Sequence, residues 1–280
     1  MPMIMFGIFL IFIPLLLQLV LLHLLAKFLD RLIYRRFGRT FYLLFMWPGV
    51  VIHELSHLTA CLATFTRVRE VRLFAPRDER SGTLTLGWVA HDRPRNPVIS
   101  TLIGSAPFFG GAAALWLLLH WLYPAVLREA DLRPLVWSGG WAGAFDLFTG
   151  SIAAYAGLAA AVFAHLAAGG WRTAVFLVAA TSLAAHAAPS KTDLRHTIMG
   201  LAAAVVILLL MVLVGGRLDP AWPARLAASV SRPIGAVSVL LGYGLVCVCS
   251  SLAVFGGLAV ILSGLRRLGS RRGRTGLSKG

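Results

Sequence analysis

Two histidines and a glutamate in the first quarter of the chain have the types and the spacing that bind and use a metal ion. Residues 53–57 spell H-E-L-S-H, the H-E-x-x-H pattern. On a helix, side chains four residues apart lie on one face, so His53 and His57 can both reach one Zn²⁺ ion. Glu54 then leans toward a metal-bound water as a general base. The pattern predicts the core of a zinc hydrolase with one Zn²⁺ ion.

The motif lies inside an apolar run, residues 41–65, that is long enough to cross a bilayer. A metal site at membrane depth narrows the expected substrate to peptide bonds in or beside transmembrane segments. The structural alternative is that the two buried histidines and Glu54 pair with one another or with the backbone. A glutamate inside a membrane is costly unless something compensates it, which favours the metal site.

Composition independently indicates a membrane protein. Hydrophobic residues make up 58% of the 280 residues, charged residues only 13%, and the mean hydropathy is +0.80. This composition predicts an all-α polytopic membrane protein with about six to seven transmembrane helices. We expect a single domain over residues 1–265, with its core at about 41–214, and a basic disordered tail over 266–280.

The net charge of +15 would suggest nucleic acid as the partner of a soluble protein. Here, however, lysine and arginine lie in short loops between apolar runs and in the tail, where they set topology and contact anionic lipids. The expected partners are therefore the lipid bilayer and a membrane-protein substrate, without nucleic acid. The three cysteines all lie in apolar segments, which predicts buried thiols and no disulfide framework.

Seven apolar segments are long enough, or almost long enough, to cross a bilayer. The first has no basic start and no small-residue cleavage site, so we interpret it as a retained helix rather than a signal peptide. With the N-terminus outside, a basic linker at 27–39 and the tail lie in the cytoplasm. The Arg-rich loop after the metal motif then falls outside, against the charge rule, unless it folds back onto the membrane or one Ala-rich segment does not cross. The predicted spans are 4–25, 41–65, 97–123, 141–168, 173–188, 194–214 and 234–262.

That loop has the pattern of a β-hairpin. Apolar and polar residues alternate over 68–74 and again over 82–89, and a turn signal with Pro76 separates the two runs. We therefore expect a short hairpin directly after the metal-motif helix. Such a hairpin could hold an unwound substrate segment as an added strand.

A catalytic zinc site needs a third protein ligand, and few residues in or beside the apolar segments can supply one. Asp193 ranks first, because it follows a helix break at Pro189, and unwound backbone at membrane depth is tolerated mainly where it lines a cavity. The alternative for Asp193 is a helix-capping role. Asp146 is the runner-up. Further candidates are His186 and His196, as ligands or orienting groups, and Cys61, one helical turn after His57.

The segment 48–57, the hairpin after it and the later Pro189–Asp193 pattern together resemble the site-2 protease family of intramembrane zinc metalloproteases. In that family a second motif, Asn-x-x-Pro-x-x-x-x-Asp-Gly, supplies the third ligand from a later helix. Here His186 stands in place of Asn, the step from Pro to Asp is one residue shorter, and Leu194 replaces Gly. The resemblance covers roughly residues 41–214 and indicates a divergent branch.

The resemblance implies an intramembrane zinc metalloendopeptidase that takes part in regulated intramembrane proteolysis. It implies Zn²⁺ bound by His53, His57 and Asp193, with Glu54 catalytic and with His186 and Pro189 as accessory residues. The alternative function is a non-catalytic zinc-binding membrane protein, either a pseudo-protease or a metal transporter. The intact Glu54 and the few polar residues in the other spans favour the enzyme. Short loops favour a bacterial inner membrane, and the oligomeric state stays open.

Overall fold

Helices make up most of the structure. The computed structural model describes residues 2–78, 84–129, 140–167, 169–187 and 190–276. Within these ranges it contains seven helices and two small antiparallel sheets. The helices are α1 (Pro2–Ala63), α2 (Pro97–Leu122), α3 (Pro124–Glu129), α4 (Gly140–Ala167), α5 (Trp171–Ala187), α6 (Lys191–Leu218) and α7 (Trp222–Gly276), and the strands are β1 (Val68–Arg72), β2 (Arg77–Asp78), β3 (Leu84–Thr85) and β4 (Trp88–His91).

The long helix α1 is a pair of antiparallel arms that meet at Gly38. Gly38 has φ 85° and ψ 172°, a conformation that is essentially restricted to glycine. The rings of Tyr34 and Tyr42 approach to 5.5 Å between centroids, whereas eight residues of continuous helix span about 12 Å. His23 and His53 line the same cavity, although thirty residues of straight helix would separate them by about 45 Å. The first arm therefore returns along the second, which carries the metal motif.

Three described helices are long and apolar enough to cross a membrane, judged by length and composition. They are Pro97–Leu122, Asp193–Leu218 and Gly244–Gly264. These segments agree with three of the predicted spans. The arm that carries the metal motif is interrupted by two histidines and a glutamate, and it is not one of the three. α5 is short, with 17 residues, in agreement with a predicted span that was barely long enough.

The segment after the metal-motif arm forms the expected antiparallel hairpin. Arg72 pairs with Trp88 in the β1–β4 sheet, and Arg77 pairs with Thr85 in the β2–β3 sheet. At its far end Asp78 forms an ion pair with Arg39 at the start of the second arm, with 3.0 Å between the charged atoms. The hairpin extends for about ten residues from β1 to Asp78, and the second arm of α1 has about 24 residues. At the rise per residue of a strand and of a helix, both lengths are roughly 35 Å. The hairpin therefore lies along the whole second arm instead of projecting away from it.

α5 lies at the centre of the bundle, where it packs against α1, α2 and α7. Its residues Ala180 to Ala185 are all buried, and all but Leu183 have small side chains, which let helix backbones approach closely. The closest approach to α1 is at Gly49, where an added Cβ would overlap the backbone of Ser182. The Ser182 hydroxyl accepts from Gly49 N–H at 2.8 Å and donates to the Met46 carbonyl at 3.0 Å. These two bonds fix the metal-motif arm on α5 beside Pro48, which cannot donate a backbone hydrogen bond.

The C-terminal helix is longer than the sequence indicates. Composition predicts a disordered tail from residue 266, but α7 continues to Gly276. Leucine and arginine are good helix formers, so the run Leu265–Leu268 extends a helix that is already nucleated. Residues 277–280 lie outside the described residues.

We expect Gly49→Ala to destabilise the protein and weaken metal binding, because its Cβ would overlap the Ser182 backbone and push the metal-motif arm off α5. Overpacking of this kind costs about 1–3 kcal/mol of unfolding free energy. Thermal unfolding in detergent, followed by circular dichroism, measures the change. Gly157→Ala is the matched control, because its Cβ on α4 would meet nothing within 4 Å. Equal unfolding temperatures for the two variants would contradict the packing argument.

Candidate metal site

Three of the residues singled out from the sequence converge on one point. Ligand atoms of His53, His57 and Asp193 all lie within 4.8 Å of one another, and all three residues are buried or half-buried. Asp193 Oδ2 lies 3.8 Å from His53 Nε2 and 3.6 Å from His57 Nε2. This group can hold a metal ion.

Backbone carbonyls fix the orientation of both imidazoles. His53 Nδ1 donates to the carbonyl of His186 at 2.6 Å, and His57 Nδ1 donates to the carbonyl of Ile103 at 3.0 Å. A carbonyl oxygen can only accept, so each Nδ1 carries a proton, and in the neutral imidazole Nε2 keeps its lone pair. Both lone pairs face Asp193. This arrangement is typical of histidines that bind a metal ion.

The two distances from Asp193 to the imidazole nitrogens are close to those of a tetrahedral zinc site. Bonds of about 2.0–2.1 Å to a tetrahedral ion place two ligand atoms about 3.3 Å apart. The observed distances of 3.6 and 3.8 Å exceed this value by only a few tenths of an ångström. Two imidazole nitrogens and one carboxylate oxygen also form the donor set of several catalytic zinc sites, which leave the fourth position for water.

Asp193 occupies its position because it also caps α6. Ser190 and Asp193 form a capping box, in which Ser190 N donates to Asp193 Oδ2 at 3.1 Å and Asp193 N donates to Ser190 Oγ at 3.2 Å. The sequence offered helix capping as an alternative to metal binding for Asp193. In the structure Asp193 caps α6 and also lies in the candidate ligand group. The cap holds the same oxygen that faces the two histidines, so it restricts where the carboxylate can point.

Glu54 lies beside this group and under the hairpin. It is 8% exposed, and its carboxylate accepts a backbone hydrogen bond from Val89 of β4. An added Cβ at Gly87 would lie 3.0 Å from Glu54 Cγ, so glycine is the residue that lets the hairpin pass this close. The hairpin therefore covers the glutamate and leaves the backbone edge of β4 next to it.

Two cavities meet the ligand group from different sides. One, of about 190 Å³, is lined by His53 and Glu54 together with His23, Lys27 and Asp30 from the first arm of α1. The other, of about 920 Å³, lies between the start of α2 and the start of α6 and includes Asp193 in its wall. The ligand group is consequently reachable from within the bundle.

The remaining candidates from the sequence lie elsewhere or act differently. Asp146 is exposed on α4 and does not belong to the ligand group, and the thiol of Cys61 is buried outside it. His186 contributes its backbone carbonyl to His53, while its own Nδ1 bonds to the carbonyl of Ser182. His196 Nδ1 is hydrogen-bonded to the hydroxyl of Ser100 at 3.0 Å. Pro189 lies outside the described residues.

Several residues that shape the site were not anticipated from the sequence. Ile103 and Val89 act through backbone atoms, which a side-chain pattern does not reveal. Ser190 did have a signal, since Ser-x-x-Asp before an apolar run is a capping-box signature. Ser182 had none, because an isolated serine in an Ala-rich helix does not indicate what it contacts.

Comparisons with known proteins add no identification. No family model matches the chain, and no curated protein or solved structure matches it.

We expect Asp193→Ala to lower the zinc content of the purified protein, because it removes one of three ligands and one side of the α6 cap. Loss of a ligand should weaken zinc affinity by at least about tenfold, as even changes to the residues that support zinc ligands cost 10–100-fold. Zinc per protein is measured by mass spectrometry after dialysis against a weak chelator. Asp146→Ala, which removes an exposed carboxylate, should leave the ratio unchanged. Equal zinc content in the two variants would exclude Asp193 as a ligand.

Proposed function

We propose that this protein is an intramembrane zinc metalloendopeptidase that cleaves peptide bonds in or near transmembrane segments. The proposal includes a bundle of six to seven spans in a bacterial inner membrane. The observation that carries it is the convergence of His53, His57 and Asp193 on one point with Glu54 beside them. A site built only to store metal has no need for a carboxylate that does not belong to the ligand group.

The chemistry follows from the donor set. His53, His57 and Asp193 would hold a zinc ion, which would supply Lewis acidity toward a water molecule and a carbonyl oxygen. Glu54 is the nearby group able to take the proton of that water as it attacks, and then to give the proton to the leaving amine. His53 and His57 hold their orientation through Nδ1 during these steps, because their partners are backbone carbonyls that do not titrate.

The position of the site supports a membrane substrate. Asp193 begins the candidate span Asp193–Leu218, and Ile103, whose carbonyl fixes His57, lies within the span Pro97–Leu122. A transmembrane helix satisfies its own carbonyls, so a peptide bond within it becomes accessible only after local unwinding. The site therefore needs a surface that can hold the unwound backbone.

Among the described residues, the edge of β4 that faces away from β1 has no partner strand, and it offers such a surface. Leu86 accepts from Ala75 and Asp92 donates to Arg67, so the backbone groups of these two residues face the hairpin partner. Because strand residues alternate, the N–H groups of Val89 and His91 face the opposite side, where Val89 meets Glu54. A substrate segment added to this edge as a strand would pass directly beside the catalytic glutamate.

We expect Glu54→Gln to keep zinc but to abolish cleavage of a model transmembrane substrate in liposomes. Glutamine is nearly isosteric but cannot take a proton, and general-base catalysis contributes about 10²–10⁴-fold. Product formation is followed by gel electrophoresis and mass spectrometry, with zinc content as the control for an intact site. If the purified wild-type protein contains no zinc, the proposal of a zinc hydrolase is wrong. Zinc without cleavage of several substrates would instead favour a non-catalytic zinc-binding protein.

We expect His91→Pro to lower kcat/KM for the transmembrane substrate about two- to twelvefold relative to His91→Ala. Both variants lose the imidazole, but only proline removes the outward N–H that would bond to the added strand. One hydrogen bond of this kind contributes about 0.5–1.5 kcal/mol, which gives this range. Cleavage rates of the two zinc-loaded variants are compared in the same liposomes. Equal rates would exclude strand addition at β4 and leave the zinc chemistry unaffected.

A further inference from the structure

The larger cavity carries information about the substrate. It has a volume of about 920 Å³, which is within the size range of ligand-binding pockets. Its inner wall includes Asp193 and Ile103, which connect it to the metal-ligand group. Its outer wall includes three arginines, Arg93 and Arg95 from the β4–α2 connection and Arg195 from the first turns of α6.

These three arginines are exposed and lack acidic partners among the described residues. Asp92, the acidic residue nearest to Arg93 and Arg95 in sequence, is already ion-paired with Arg69, and Asp193, the one nearest to Arg195, faces the two histidines. Hydrogen bonds and ion pairs of the described residues include none from the guanidinium groups of Arg93, Arg95 or Arg195. Three like charges at the rim of one cavity repel each other and attract an anionic group. Guanidinium groups bind carboxylates with two parallel hydrogen bonds, so a carboxylate is the anion that this rim fits.

The cavity also continues the edge at which a substrate strand is expected. His91, at the end of β4, lines the cavity, and Arg93 and Arg95 follow it directly in the chain. Along this edge, Glu54 lies beside Val89. Four residues of extended chain, from Val89 to Arg93, cover about 13 Å. A substrate strand that places its scissile bond at Glu54 therefore brings a side chain about four residues away to the arginines.

We propose that this cavity is a specificity site that binds an acidic side chain of the substrate, three to five residues from the scissile bond. The inference rests on the proposed function and deepens it, since it assigns a preference to the same site. The apolar part of the wall, with Met199 and Ala203, takes the neighbouring hydrophobic side chains. The substrate class is then a transmembrane segment flanked by aspartate or glutamate.

A positional scan tests this inference. The probes are synthetic peptides with one apolar transmembrane segment and a fluorophore, which carry a single Asp or Asn at successive positions on either side of the cleavage point. Mass spectrometry locates the bond that is cut. Affinity is measured separately by fluorescence anisotropy with the zinc-loaded Glu54→Gln protein in phosphatidylcholine nanodiscs. We expect Asp peptides to bind and react about tenfold better than Asn peptides when the residue lies three to five positions from the bond.

Two variants locate the origin of the preference. The triple variant Arg93→Gln, Arg95→Gln and Arg195→Gln should reduce the Asp-to-Asn ratio to about one. Arg217→Gln is the matched control, because Arg217 is also exposed on α6 but lies 22 residues, or about 33 Å, from Arg195. It should keep the ratio of the wild type. The preference should also weaken at high salt, since the arginines are exposed.

The remaining outcomes overturn the inference. If the Asp-to-Asn ratio is the same in the wild type and in the triple variant, the arginines do not contribute to substrate selection. Equal losses for Asp and Asn peptides would mean that the arginines do not select a carboxylate. A triple variant that loses only its response to phosphatidylglycerol in the nanodiscs would make the rim a lipid contact. The anisotropy ratio does not depend on cleavage, so a wild type that cuts no peptide would refute the proposed function alone.

Discussion

The structure depends on holding the lone pairs of two imidazoles toward a carboxylate that comes from a distant part of the chain. His53 and His57 lie on adjacent turns of α1, whereas Asp193 lies in the first turn of α6. Their ligand atoms meet only because backbone carbonyls from α5 and α2 fix the two rings. Two close helix contacts near the site serve this requirement. Gly49 brings α1 onto α5, and Gly104 brings α2 onto α6, where an added Cβ would lie 3.1 Å from His196.

The same contacts satisfy polar groups that the interior of a helix bundle cannot leave unpaired. Ser182 bonds to two backbone groups of α1, and Ser190 and Asp193 satisfy each other's backbone at the start of α6. In a low-dielectric interior, unpaired groups of this kind would cost about 1–3 kcal/mol each. The polar residues near the metal-ligand group thus have a second role, because they form hydrogen bonds to backbone groups at the start of α6 and in the metal-motif arm.

The sequence predicted the parts of this site that depend on local spacing. The H-E-x-x-H pattern placed His53 and His57 on one helix face, and alternating residues indicated the hairpin that now lies over Glu54. The scarcity of acidic residues near apolar segments singled out Asp193, and its position next to the histidines agrees with that choice. These features are readable because each is set by the repeat of one helix or one strand.

Long-range packing was not readable from the sequence. The basic linker at 27–39 predicted two separate spans, yet nothing in its charges indicated that Gly38 alone reverses the helix. The role of Ile103 depends on a carbonyl, and that of Ser182 depends on which helix lies opposite. The disordered tail was predicted from charge and glycine content, whereas α7 extends through most of it. The composition of a segment indicates whether it prefers a polar or an apolar environment, but it says little about which other segments pack against it.

The order of the ligands along the chain has a consequence for synthesis. Two of them emerge from the ribosome early, but the third follows only after the hairpin and helices α2 to α5 have been made. At about 5–20 residues per second, this delay is on the order of ten seconds. During that time the group has its two imidazoles but lacks the carboxylate of Asp193. Because Asp193 also caps α6, the last ligand arrives together with the start of the helix that carries it. The three candidate ligands therefore come together only once the bundle has been assembled through the start of α6.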